Sequence, residues 1–266
     1  MTTSQLEFVP FPYADAAYDY AGQKLADNWE RLHQGDAEPW PEDEQVQDAW
    51  RAYHAGDFAQ AVALGEAAGE AGLNVANKAL VIHASYLLED KYAKRAAFER
   101  AASHAEKLQK RQPDNANANA NAWYFHALAL GRYSQVISIS KALSQGIGDK
   151  IKASLEKALE IEPDHAEAHI AFGAWHAEIV DKLGAMIGGL TYGAKKEESE
   201  RHFKEALALI PDSAIARMEY ANAQVMLHGK SRLKAAEALY AEAAECEPMD
   251  AMERLDMEAA REELED

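Results

Sequence analysis

Three stretches decide the fold: "KASLEKALEIEP" (152–163), "ERHFKEALALIP" (200–211) and "AAEALYAEAAECEP" (235–248). Each carries apolar residues at helical spacing into a proline. Each places a large residue three before an alanine: Leu155 and Ala158, Phe203 and Ala206, Tyr240 and Ala243. Proline removes a backbone donor and clashes with the preceding turn, so it stops a helix. The body of the chain has four such sites, "QPDN" at Pro113, "EPDH" at Pro163, "IPDS" at Pro211 and "EPMD" at Pro248. A polar residue just behind each proline can cap the next helix. Downstream, "AEAHIAFGAWH" (166–176) and "AIARMEYANAQ" (214–224) again repeat apolar residues at i, i+3, i+4 and i+7. Nearer the start, "AWRAYHAGDFAQAV" (49–62) places Gly56-Asp57 as the turn between two helices.

Composition agrees with an all-α chain. The 266 residues are 48% hydrophobic, with alanine prominent and β-branched residues scarce. The 45 acidic and 27 basic residues leave a net charge of −18. Such a chain is repelled by nucleic acid and by anionic membrane surfaces, which argues against either as a partner. Cys246 is the single cysteine, so an internal disulfide is excluded. The first twenty residues lack a basic start followed by an apolar run, and no stretch of about 18 apolar residues occurs. The expectation is a cytoplasmic protein without membrane insertion.

The helix pairs and their prolines resemble the tetratricopeptide repeat. One unit has His169, Phe172-Gly173 and His176 on its first helix, then Ser199, Phe203, Ala206 and Pro211. A second has Trp123, His126-Ala127 and Leu130, then Leu155, Ala158 and Pro163. A third has Tyr220-Ala221 and Gln224, then Ala236, Tyr240, Ala243 and Pro248. The prolines stand 50, 48 and 37 residues apart, against about 34 for the plain repeat. The surplus is "GRYSQVISISKALSQGIGDK" (131–150) and "VDKLGAMIGGLTYGAKKEE" (180–198), both between the paired helices. These inserts are expected to lengthen the pairs. Their placement and the helix "FGAWHAEIVDKL" resemble long-helix repeat proteins of two kinds, the T-components of TRAP-type transport systems and the regulators of microtubule dynamics.

The expected architecture is a right-handed superhelical solenoid of about five helix pairs over 42–248, preceded by an N-terminal segment and capping helix (1–41) and closed by a capping helix (249–266). Tyr13, Ala17, Tyr20, Leu25, Trp29 and Leu32 are the inward candidates of the first cap. Met249, Met252, Leu255 and Ala259 make the stripe that covers the last repeat. Between cap and repeats, "DAEPWPEDEQVQD" (36–48) carries six acids and no base and reads as a solvated linker.

His165, His169 and His176 share one helix face, which raises the question of zinc. The metalloprotease helix reads H-E-x-x-H. Here "HAEAH" displaces Glu167 by one residue, about 100° of helix rotation. The repeat accounts for His169 and His176 as packing residues and puts His165 in the turn. Cys246 lies on an inward stripe without a base beside it. "GAMIGGLTYGAKK" (184–196) lacks the order of a phosphate loop and reads as a turn. Its Met186, Ile187, Leu190 and Tyr192 are free to touch a ligand or another subunit. Lys91, Lys94, Arg95, Arg100, Lys107, Lys110 and Arg111 make a basic helix, read as a solvated face.

The resemblance to the tetratricopeptide repeat implies a concave surface built from the first helices. Carried onto this chain, its contact positions are Asn121, Tyr124 and Leu128; Glu167, Ile170, Ala174 and Glu178; and Ile215, Met218, Asn222, Val225 and Met226. Ile170 and Met218 stand where relatives that grip a terminal carboxylate use lysine, so that activity is not expected. The strip suits an apolar or basic peptide, or a helix. The function expected is a non-catalytic interaction scaffold with no cofactor or metal. The alternative is a carrier or sensor of a small apolar molecule held between the long-helix units. The segment "LEFVPFPY" (6–13) is a candidate to fill the groove from within the chain.

Overall fold

The computed structural model describes residues 7–111 and 116–265. Pro113 and Leu6 lie outside the described residues. Among the described residues the chain is all helix and turn, without a strand. Helix α1 is Lys24–Leu32, α2 Glu44–His54, α3 Phe58–Ala67, α4 Leu73–Tyr86, α5 Lys91–Arg111, α6 Ala116–Val136 and α7 Ile139–Ser144. Helix α8 is Ile147–Ile161, α9 Ala166–Leu183, α10 Ala185–Tyr192, α11 Lys196–Leu209, α12 Ala214–His228, α13 Leu233–Ala244 and α14 Ala251–Glu265. Five antiparallel pairs follow in order: α2/α3, α4/α5, α6/α8, α9/α11 and α12/α13. The solenoid expected from the prolines is therefore present, with α1 before it and α14 after it.

The local chemistry of each pair follows the sequence pattern. Leu155, Ala158, Phe203, Ala206, Tyr240 and Ala243 are all buried. Gly173 lets the Phe203 ring lie against α9, since a Cβ there would come within 2.8 Å of it. Gly56 turns the chain with φ +85°, and a Cβ would sit 2.4 Å from Phe11. Asp57 then caps α3 by accepting from the Gln60 amide. Ser213 caps α12 in the same way. Behind Pro163 the cap is His165, whose Nδ1 accepts from the Ala168 amide at 3.1 Å.

Several expectations are corrected. The inserts only partly lengthen their pairs: α6 runs to Val136 and α9 to Leu183, and the remaining surplus forms the separate short helices α7 and α10. The N-terminal cap is not one helix. A 3-10 turn at Ala16–Tyr18 precedes α1, and it buries Tyr18 and leaves Ala17 exposed. The acidic linker is not solvated throughout, because Asp36 is fully buried. The "LEFVPFPY" segment does not enter the inner groove. From Phe8 onward it packs against α3 and α4, with the Val9 amide donating to His83 Nε2 at 2.9 Å and Phe11 meeting Phe58 edge to face.

The largest departure is α14. It covers the last pair as expected, yet it also reaches the first ones. Tyr20 donates to the Met249 carbonyl at 2.7 Å, His54 Nδ1 meets Asp250 at 2.7 Å, and Tyr53 approaches Met252 Sδ at 3.0 Å. Arg31 pairs with Glu253 at 2.7 Å. Buried residues on α14 include Asp256 and Met257 as well as Leu255, so one apolar stripe does not describe it. The helix is held from two sides because it spans the inner face of the superhelix.

Candidate functional site: an inner chamber

First helices of successive pairs line the concave side of a helical-repeat stack. Here α4, α6, α9 and α12, together with α14, line a partly open cavity of about 110 Å³. Space of this kind needs roughly 10–15 Å³ to hold a water, so several waters or a small apolar group fit. Val81, Ile82, Leu128, Ile170, Trp175 and Ile215 give it apolar walls, and Met252 and Asp256 form the side contributed by α14.

Of the residues expected on the concave face, Tyr124, Leu128, Glu167, Ile170, Ala174, Glu178 and Ile215 line this cavity. Asn121 lies just beneath it, fully buried. It donates to Glu38 at 2.5 Å and accepts from His165 Nε2 at 2.9 Å. The positions on α12 beyond Ile215 are elsewhere. Met218 is buried in a separate core formed with Tyr240 and Ala243, and Val225 packs against the same core. Asn222 accepts from the Tyr240 hydroxyl at 2.6 Å. Met226 is exposed to solvent. Met218, Asn222, Val225 and Met226 therefore do not line this cavity: the first three lie against α13 and its core, and Met226 faces solvent.

The polar end of the chamber was not foreseen. Lys78 on α4 is buried and donates to Asp36 at 2.6 Å and to Glu167 at 2.9 Å. Burial alone would discharge this lysine, but the Asp36 and Glu167 carboxylates hold its pKa well above the ordinary value. Burial also opposes the charge of Asp36, yet Lys78 and His33 hold that carboxyl below its usual range. Glu167 goes the other way: burial raises its pKa despite Lys78. Next to this triad, Glu38 accepts from Asn74 and Asn121, and burial with the neighbouring Asp36 charge pushes it up to about 8. The loop carrying Asp36 and Glu38 also accepts from the α9 N-terminus, where the Glu167 amide donates to the Gly35 carbonyl at 2.9 Å. A second ion pair, Arg132 with Glu219 at 2.9 Å, ties α6 to α12 among the lining residues.

The histidines resolve as packing groups. His165 caps α9 and bonds Asn121, and burial lowers its pKa to about 4. His169 Nε2 donates to the Pro163 carbonyl, which leaves its Nδ1 to accept from His202 Nδ1 at 2.7 Å. His202 Nε2 in turn accepts from Arg201. His176 stacks on Phe172 and accepts from the Lys195 amide. Burial lowers the pKa of all three, so each is a neutral imidazole with fixed partners. No group of three or more histidine, cysteine, aspartate or glutamate side chains among the described residues is placed to hold a metal. Burial also raises the Cys246 thiol, away from the reactive thiolate. No described helix is long and apolar enough to cross a membrane.

Stacked helix pairs around an inner chamber define a tetratricopeptide-like repeat protein. A solved structure with this fold is TTC0263, a thermophilic TPR protein in Thermus thermophilus. It shares 19% identity, covers 82% of this chain and 97% of its own, and superposes with a TM-score of 0.57. The chain belongs to the family of regulator of microtubule dynamics protein 1-3, whose model matches residues 75–265. No curated protein matches the sequence.

Proposed function

We propose that the protein is a non-catalytic interaction scaffold that receives a protein segment, peptide or helix, against its inner surface. Four successive first helices contribute to one apolar wall with ion pairs beside it, and this observation carries the reading. Such a surface binds by burying apolar side chains along a groove. The family and the fold support an interaction role. Every buried charge near the chamber already has a partner within the chain, which suits a shaped surface better than a chemical centre. The cytoplasmic setting expected from the sequence is part of this proposal.

A second reading is favoured by one feature. Helix α14 crosses the inner side and narrows it, which suits a small apolar ligand held in the chamber. Both readings are tested by Ala174→Trp, which fills the cavity from a partly buried position. Proteins captured from the native host by the full chain should be lost with this variant while its melting curve is kept. Capture unchanged by Ala174→Trp contradicts the chamber as the site. A small molecule seen by native mass spectrometry on the wild type, and absent from the variant, selects the second reading.

A further inference from the structure

The insert helix α10 packs through a glycine: Gly188 is its one buried residue and lies against Ile179, where a Cβ would come within 3.1 Å. Tyr192 packs inward, but three large aliphatic residues face away, with Met186 85%, Ile187 57% and Leu190 89% exposed. A helix that packs only for stability buries the large side chains and exposes the small ones. The other insert does the same nearby. Ile139 and Leu143 of α7 are exposed, and both border a cleft shared with Lys182 and with Tyr192 of α10. Met186 and Leu190 stand one turn apart on a projecting surface, so they form a tip rather than a groove.

The surroundings of this tip are less acidic than the molecule as a whole. Residues 137–152 and 180–198 hold six lysines, Lys141, Lys150, Lys152, Lys182, Lys195 and Lys196, against Asp149, Asp181, Glu197 and Glu198, in a chain of net charge −18; Lys182 pairs with Glu178 and Lys152 with Glu156. Lys150, Lys182 and Lys195 are exposed. Lys152 reaches the end of α10, its Nζ lying 3.5 Å from where a Gly193 Cβ would stand. An apolar tip with a cationic collar is the chemistry of interfacial binding to anionic lipid. A second copy of the chain fits less well, since a two-fold contact would set one lysine collar against the other.

We propose that the knob formed by α7 and α10 docks the protein on an anionic lipid surface, with Met186, Ile187 and Leu190 entering the headgroup layer and the lysines meeting lipid phosphates. The net charge repels such a surface, and the exposed Lys150 and Lys195 beside the apolar tip weaken that repulsion in this orientation. This is peripheral attachment through the knob, beside the chamber, and it does not rest on what the chamber holds.

The test is flotation of the full chain with vesicles of equal parts phosphatidylcholine and phosphatidylserine. The wild type is expected to float with them, less so with pure phosphatidylcholine, and less as salt is raised. Met186→Asp with Leu190→Asp, and separately Lys150→Glu with Lys195→Glu, should each reduce the bound fraction about tenfold or more without shifting the melting curve. These four side chains are exposed, so the fold is expected to survive. A wild type that does not float overturns the proposal. So does binding undiminished by the Met186 and Leu190 changes, or light scattering showing dimers through the patch with no flotation.

Discussion

The Tyr86 hydroxyl donates to the Asp256 carboxyl at 2.5 Å, joining residues 170 positions apart in the chain. Tyr86 ends α4 in the second helix pair, and Asp256 lies mid-way along the final helix α14. Through this contact, and through His54 with Asp250 and Arg31 with Glu253, the end of the superhelix returns to its beginning. A simple repeat array has only nearest-neighbour contacts. Here the return makes the chamber a property of the whole chain.

Asp256 gives the protein a distinctive pH response. Burial pushes its carboxyl up to about 8, so between about pH 4 and 8 the unfolded chain releases a proton that the folded chain keeps. Its contribution to stability is present at low pH and is lost as pH rises through that window. Asp256→Asn keeps an acceptor for Tyr86 and removes the titration. Thermal melts should show a variant with a flatter decline between pH 6 and 8.5, its Tm rising at the alkaline end by roughly 2–4 °C per kcal/mol recovered. An unchanged pH profile contradicts the assignment. Glu38, also raised to about 8, leaves a residual slope of the same sign.

The buried histidines act in the opposite sense. Burial lowers His33, His83, His165 and His176 to about 4 and His202 to about 3. Each contributes stability above the unfolded value near 6.5, and this is lost as pH falls toward 4. Maximum stability is therefore expected near neutral pH, with cooperative acid unfolding below it by circular dichroism. Stability rising steadily from pH 6 to 4 is the contrary result.

Lys78 holds two buried acids. Lys78→Met leaves Asp36 and Glu167 without their cation, and urea unfolding should show a loss of about 3–5 kcal/mol. Combining it with Asp36→Asn and Glu167→Gln should recover much of that loss, since the unpaired charges are then gone. A Lys78→Met protein as stable as wild type contradicts the triad.

Met218→Arg separates two views of α12. If Met218 faced the groove, the change would spare the fold. Its place in the core beside Tyr240 predicts a loss of more than about 2 kcal/mol, because arginine cannot be solvated there. A melting curve within a degree of wild type contradicts that placement.

The repeated prolines made the pairs legible in the sequence, since each marks a helix end by local chemistry alone. The cavity wall on α6 and α9 was legible for the same reason, because Pro163 and Pro211 set the register. Lys78, Tyr86 and Arg132 were not. Lys78 and Tyr86 precede the prolines that punctuate the repeats, in a pair whose repeat pattern is weak, and Arg132 falls in the first insert. Asp36 and Glu38 looked solvated because their partners, Lys78, Asn74 and Asn121, are far along the chain. The apolar stripe of α14 was visible, but its second contact surface is set by the curvature of five stacked pairs. Met218 looked like a chamber residue because its neighbours Ile215 and Glu219 are, whereas its own side chain lies in the core shared with α13.

The return of α14 to the first pairs is the claim on which the chamber rests, and a double-mutant cycle tests it most directly. Tyr86→Phe, Asp256→Ala and the double variant are compared by urea unfolding. A direct contact predicts a coupling of about 1 kcal/mol or more. Two losses that simply add, within about 0.3 kcal/mol, contradict the closure.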